Sequence, residues 1–151
     1  MKRLRILLCD DHPAILTLLH YLLEPHYNIV GTAEDGQSLV AAAQALRPDI
    51  VFTDINMPHV NGLEATRELR KHLPRCHVIV HSSHDEPEVM AAAFAAGASG
   101  YIIKGSTNAL ESSIRTVIET VWARATLPVM AQGYPSQVRG EGFTRAAKPL
   151  I

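Results

Sequence analysis

Four short apolar runs in this 151-residue chain end on polar side chains. Leu4–Cys9 leads into Asp10-Asp11, Asp49–Asp54 ends in Asp54, Cys76–Ser82 ends in Ser82 with Ser83 beyond it, and Gly100–Ile103 is followed by Lys104. If these runs are parallel strands, their carboxyl ends share one edge of the sheet, where ligands bind in such folds. Three carboxylates, hydroxyls and one ammonium then converge. Carboxylates brought together repel one another, so raised pKa values, Lys104 or a metal must neutralise them. Hard oxygen ligands with no matching Cys or His cluster suit Mg²⁺, which takes one or two carboxylates, keeps several waters and leaves room for a phosphate oxygen.

Taken singly, each residue has a plainer reading. Asp10 or Asp11 could cap a helix that starts at Pro13. A lone Ser82 or Ser83 is a loop hydroxyl, and a lone Lys104 is a solvated charge. That reading requires independent coincidences at four strand ends, and the shared site ranks ahead of it.

The elements that must position these groups alternate regularly. Leu4–Cys9, Tyr27–Ala33, Asp49–Asp54, Cys76–Ser82 and Gly100–Ile103 read as strands. Helical patterns lie between and after them: Ile15 to Leu23, Gly36–Leu46, 62–73, Glu86–Ala96 with Gly97 at a left-handed C-cap, and 107–124 with the stripe Leu110, Ile114, Val117, Ile118 and Val121. Five strands and five helices in alternation predict an α/β, flavodoxin-like, doubly wound parallel sheet of order 2-1-3-4-5.

Apolar residues make up 47% and charged residues 19%, the balance of a globular domain. A net charge of −1 offers no overall attraction for nucleic acid or an anionic membrane. Cys9 and Cys76 lie far apart in or beside apolar runs, and are expected to be small buried hydrophobes. Only six residues separate Met1-Lys2-Arg3 from Asp10-Asp11, too few for a signal-peptide core. No run approaches the ~20 apolar residues of a membrane span. The cytoplasm is the expected compartment. Residues 1–124 are expected to form one domain. Residues 125–151, punctuated by Pro128, Gly133, Pro135, Gly140, Gly142 and Pro149, are expected to form an irregular tail.

The chain resembles the receiver domains of bacterial two-component response regulators over residues 4 to about 122. The resemblance rests on Asp10-Asp11-His12-Pro13, on Asp54-Ile55-Asn56-Met57-Pro58 with Gly62 beyond, on Ser82 after an apolar strand, and on Tyr101-Ile102-Ile103-Lys104. Asp-Asp-His-Pro and Val30-Gly31-Thr32-Ala33 are most similar to the branch that usually carries a LuxR-type helix-turn-helix output domain. No such domain is recognisable in residues 125–151.

The resemblance implies that Asp54 is the phosphoacceptor and that Asp11 and Asp54 ligate Mg²⁺, with Mn²⁺ as a substitute. It further implies that Asp10 acts through a metal-bound water and that Asn56 supplies a backbone carbonyl. Lys104 matches the lysine that pairs with a phosphoryl oxygen, while Ser82 and Tyr101 match the hydroxyl and aromatic of the phosphorylation switch. A sensor histidine kinase is the implied donor, and the 86–124 face the implied partner-binding or homodimer surface. Direct contact with nucleic acid or a membrane is not expected. No enzyme activity is implied beyond Mg²⁺-dependent self-phosphorylation and autodephosphorylation, possession of which distinguishes this reading from an unphosphorylated docking module. A phosphohydrolase with an Asp nucleophile fits poorly, because Asn56 stands where such enzymes carry a second Asp. A flavodoxin-like flavin carrier fits poorly too, because Asp10-Asp11 would repel a phosphate.

Overall fold

Strand β1 (Arg5–Cys9) opens a computed structural model that describes residues 3–105, 110–124 and 129–131. There follow α1 (Pro13–Leu23), β2 (Asn28–Ala33), α2 (Gly36–Leu46), β3 (Ile50–Thr53), α3 (Gly62–His72) and β4 (His77–Ser82). The remainder is α4 (Pro87–Ala96), β5 (Gly100–Ile103), α5 (Leu110–Arg124) and β6 (Val129–Ala131). The strand order is β2-β1-β3-β4-β5-β6, which contains the predicted order 2-1-3-4-5. The chain divides into two compact units at Val78/Ile79, within β4.

In the first unit β1 pairs parallel with both β2 and β3, so Cys9 lies level with Ala33 and Thr53. Ile6, Leu7 and Leu8 of β1 and Ile50, Val51 and Phe52 of β3 are fully buried, as strands covered on both faces must be. The helices begin and end on local signals. Pro13 occupies the start of α1, where its missing N–H costs nothing. Asp35 caps α2 by accepting the Ser38 N–H at 2.7 Å. At α3, Asn61 Oδ1 accepts the Leu63 and Glu64 N–H groups while Glu64 Oε1 accepts the Asn61 N–H, a complete capping box. Helices α2 and α3 bury Leu39, Ala43, Ala65 and Leu69 against Leu7, Val51 and Val78. Cys9 and Cys76 are buried free thiols in the same core, as expected.

In the second unit β5 pairs parallel with β4 and β6. The left-handed residue expected after α4 is Gly97, at φ 113°. All five positions of the apolar stripe of α5 are buried. The first residues of that helix's sequence pattern, 107–109, lie outside the described residues. Strand β6 departs from the expectation of an irregular tail: Val129, Met130 and Ala131 pair with Gly100, Tyr101 and Ile102. The physical reason is the open edge of β5, whose backbone donors and acceptors recruit a three-residue apolar segment too short to show a period.

Candidate functional site

Asp10, Asp11, His12 and Asp54 form one cluster in the first unit, with one ligand atom from each lying within 4.8 Å of all the others. Backbone geometry brings them together. Asp10 N–H donates to Ala33 O and Asp54 N–H to Cys9 O, continuing the parallel ladders one residue past β1 and β3. Asp54 thus sits just beyond its strand rather than ending it. Its Oδ1 accepts the Ile55 N–H at 2.7 Å, which orients the carboxylate. Asp10 is 1% and Asp54 5% exposed. Gly62 permits the turn after Asp54: a Cβ there would meet Asp54 O at 2.0 Å.

Neither Asp10 nor Asp11 caps α1. The N-cap is His12, without a side-chain cap bond. Asp10 Oδ1 instead accepts the His12 N–H at 3.0 Å, closing the loop ahead of the helix. His12 Nδ1 lies 3.1 Å from Asp10 Oδ1 and 3.0 Å from Asp11 Oδ1. His12 is thus a single histidine beside the carboxylates, not singled out from the sequence. His12 belongs to the acidic group because the Asp10 turn folds its ring back over both carboxylates.

At about 4.8 Å and an effective dielectric near 20, each pair of ionised carboxylates repels by about 3 kcal/mol. Asp11 Oδ1 is buried and accepts no hydrogen bond, a costly state for an anionic oxygen. Hard oxygens, mutual repulsion and an orphaned carboxylate oxygen fit a divalent cation such as Mg²⁺.

The second unit carries a separate polar chain. Tyr101 is fully buried, and its hydroxyl donates to His84 O at 2.8 Å. The His84 N–H donates to Ser82 Oγ at 3.1 Å. One residue of the β4–α4 loop therefore joins the Ser82 hydroxyl to the Tyr101 hydroxyl. Phe94 of α4 tilts against the Tyr101 ring, centroids 6.4 Å apart. Lys104 follows β5, its N–H donating to Ser82 O at 2.7 Å. The ring of His84 is near Glu86, with Nδ1 3.2 Å from Oε1.

The family model described as "Response regulator receiver domain" matches residues 6–115. The chain belongs to the receiver-domain family of response regulators. It is 35% identical over 121 residues to the transcriptional regulatory protein DegU of Brevibacillus brevis, covering 78% of this chain and 51% of that protein. It is 37% identical over 101 residues to the nitrate/nitrite response regulator NarL of Escherichia coli K12, covering 66% and 47%. Among solved structures, the signal receiver domain of a NarL of Mycobacterium tuberculosis superposes with a TM-score of 0.75 at 28% identity, covering 82% of this chain and 100% of that one. A LuxR-family response regulator from Aurantimonas sp. SI85-9A1 gives 0.75 at 32%, covering 81% and 86%. The chain spans about half the length of the curated relatives it matches, the half that is the receiver domain.

In this receiver domain the first unit collects Asp10, Asp11 and Asp54, and the second links Ser82 to Tyr101 through His84. Asn56 is exposed in the β3–α3 loop. His12 is the member of the cluster that sequence reading missed, although it stood within the quoted Asp-Asp-His-Pro motif. Among the described residues no helix is long and apolar enough to cross a membrane.

Proposed function

We propose that this receiver domain is a phospho-switch whose acceptor is Asp54. The carrying observation is a carboxylate 5% exposed, oriented by the Ile55 N–H, and grouped with two further carboxylates. An Asp54 oxygen attacks phosphorus, the new O–P bond forms, and the bond from phosphorus to the donor breaks, leaving an aspartyl phosphate. Asp11 and Asp54, the Asn56 carbonyl and, through water, Asp10 would hold a divalent cation, which would supply charge neutralisation for the phosphoryl oxygens. Mg²⁺ is the proposed ion and Mn²⁺ a substitute.

Lys104 is assigned to pair with a phosphoryl oxygen and Ser82 to donate its hydroxyl. Drawing on the Ser82 hydroxyl alters its bond to the His84 N–H, and through the backbone of His84 the bond between the Tyr101 hydroxyl and His84 O. The reading places this chain in the cytoplasm, assigns the donor to a sensor histidine kinase, and assigns the output to a partner-binding or homodimer surface over 86–124, where Trp122 is 45% exposed. The relatives named as transcriptional regulators support a role in transcription regulation exerted through a partner or a further segment, without direct nucleic-acid contact by this chain or a membrane role.

The test is incubation with acetyl phosphate and Mg²⁺, read by intact mass beside Asp54→Asn. One added phosphoryl group that needs Mg²⁺ and vanishes in the variant is the expected result. An adduct that persists in Asp54→Asn overturns the acceptor assignment. Absence of any adduct together with absence of Mg²⁺ binding leaves a docking module.

A further inference from the structure

We infer that β6 is a displaceable strap over the outer edge of β5, that the backbone of Tyr101 anchors it, and that its release opens this edge to a second copy of the chain. The inference rests on the reading of the chain as a phospho-switch with an output surface over 86–124, and adds a cover to that surface. The edge of β5 is already occupied. Gly100 to Ile103 lie level with Ile79 to Ser82 of β4 on one side, and Gly100, Tyr101 and Ile102 lie level with Val129, Met130 and Ala131 of β6 on the other. The row of N–H and C=O groups that an edge strand offers to other chains is therefore taken up by this chain itself. Tyr101 stands at the middle of that pairing. The Lys104 N–H donates to Ser82 O and so points to β4. Peptide groups alternate in direction along a strand, so Tyr101, an odd number of residues earlier, turns its N–H and C=O toward β6. With Tyr101 level with Met130 in a parallel ladder, those two groups face the Val129 C=O and the Ala131 N–H. The same residue ends the switch link: its buried hydroxyl donates to His84 O at 2.8 Å, and the His84 N–H donates to Ser82 Oγ at 3.1 Å.

These features make β6 a cover rather than a core strand. It has three residues, the short end of strand lengths, and lies at the sheet edge beside α5. So short a pairing can open locally while β4 and β5 stay together. A short edge strand also offers little to a neighbouring chain, so the covered form is monomeric. When the Ser82 hydroxyl is drawn to a phosphoryl group, its bond to the His84 N–H changes and the His84 backbone shifts. Tyr101, tied to His84 O, shifts with it and loosens the backbone that holds β6. The edge then exposed runs along Gly100–Ile103, which carries no charge. Two copies of that edge can therefore pair about a two-fold axis without repulsion between their strands.

The test measures residue-resolved amide hydrogen exchange by NMR on the full wild-type chain, with and without a continuing supply of acetyl phosphate and Mg²⁺. Sedimentation velocity is run on the wild type and on Ala131→Pro, with circular dichroism to confirm folding. Without phosphorylation, the Ala131 amide is expected to exchange at least about tenfold more slowly than the Met130 amide, which faces away from β5. Once intact mass shows one added phosphoryl group, that difference is expected to vanish and the chain to dimerise. Proline at 131 removes the N–H that faces Tyr101 O, so Ala131→Pro is expected to dimerise without phosphorylation, at a concentration at least about tenfold below that of the untreated wild type. Equal exchange at Ala131 and Met130 in the untreated chain would overturn the strap, and needs no variant to be seen. A phosphorylated chain that keeps Ala131 protected would overturn the release. A folded Ala131→Pro that stays monomeric where the phosphorylated wild type dimerises would overturn the edge as the docking surface. Absence of any adduct would instead bring down the phospho-switch reading and the release with it, while the untreated exchange pattern and Ala131→Pro still decide the strap.

Discussion

Replacing Gly62 with alanine tests whether the backbone behind Asp54 is as tightly enclosed as its surroundings suggest. A Cβ at Gly62 would lie 2.0 Å from Asp54 O, 2.9 Å from Ile55 Cα and 3.0 Å from Asp54 C. Ordinary contact is about 3.5 Å, so α3 and the Asp54 peptide must separate by about 1.5 Å. They are tied together, since Gly62 N–H donates to Ile55 O at 2.8 Å. Overpacking against backbone costs about 3 kcal/mol. Alanine in a helix returns up to about 1 kcal/mol over glycine. The net loss is about 2 kcal/mol, a fall in Tm of about 4–8 °C for a chain of this size. The same displacement moves the proposed acceptor, and a shift of about 1 Å at a reacting group is worth up to about 100-fold in rate. Thermal melts and acetyl-phosphate labelling are to be run together, with Gly31→Ala as comparison. At Gly31 the nearest atoms are side-chain tips, Leu46 Cδ1 at 3.0 Å and Leu7 Cδ1 at 3.4 Å, which yield at small cost. A Gly62→Ala protein with wild-type Tm and labelling rate would refute the reasoning, because no arrangement that close to Asp54 O absorbs a methyl group without moving.

Two further predictions concern titratable groups that the fold takes partly or wholly out of water. Burial pushes the Cys9 and Cys76 thiols up to about 12, so neither should react with iodoacetamide at pH 8 in the folded protein and both should react in urea; rapid native alkylation would contradict their place in the core. His77 is held below the ordinary histidine range by burial and by the Arg70 guanidinium. The unfolded chain then binds a proton at a higher pH than the folded one, so stability falls as pH drops through the ordinary range toward the lower folded value, and is fully present above it. His77→Gln should lose less of its urea midpoint between pH 7.5 and pH 5 than the wild type, and an equal loss in both would remove His77 as a cause.

The alternation of strands and helices was legible because the strands of the centre are apolar and buried on both faces and helices such as α5 have a one-sided stripe. Leu110, Ile114, Val117, Ile118 and Val121 repeat at helical spacing, and every one is buried. Gly97 was legible for a different reason: the residue after α4 needs a left-handed backbone, and its φ of 113° suits glycine. Strand β6 was not legible. Its three residues carry no period, and what orders them is the unfilled edge of β5, a partner far away in sequence. The carboxylates were found because strand ends are predictable from strand runs. His12 was passed over because its role depends on where a loop turns after Asp10, and that turn is set by a hydrogen bond from the His12 N–H to the Asp10 side chain. Periodicity reports which face a residue occupies within an element. It says nothing of a side chain in a loop that folds back on the strand it leaves. The spacing Asp-Asp-His-Pro held one usable signal: proline fixes the start of α1, so His12 must be the last residue before the helix, adjacent in space to the carboxylates just before it. A polar residue confined between a strand-end acid and a helix-starting proline has few places to put its side chain, and here the ring stands beside Asp10 and Asp11.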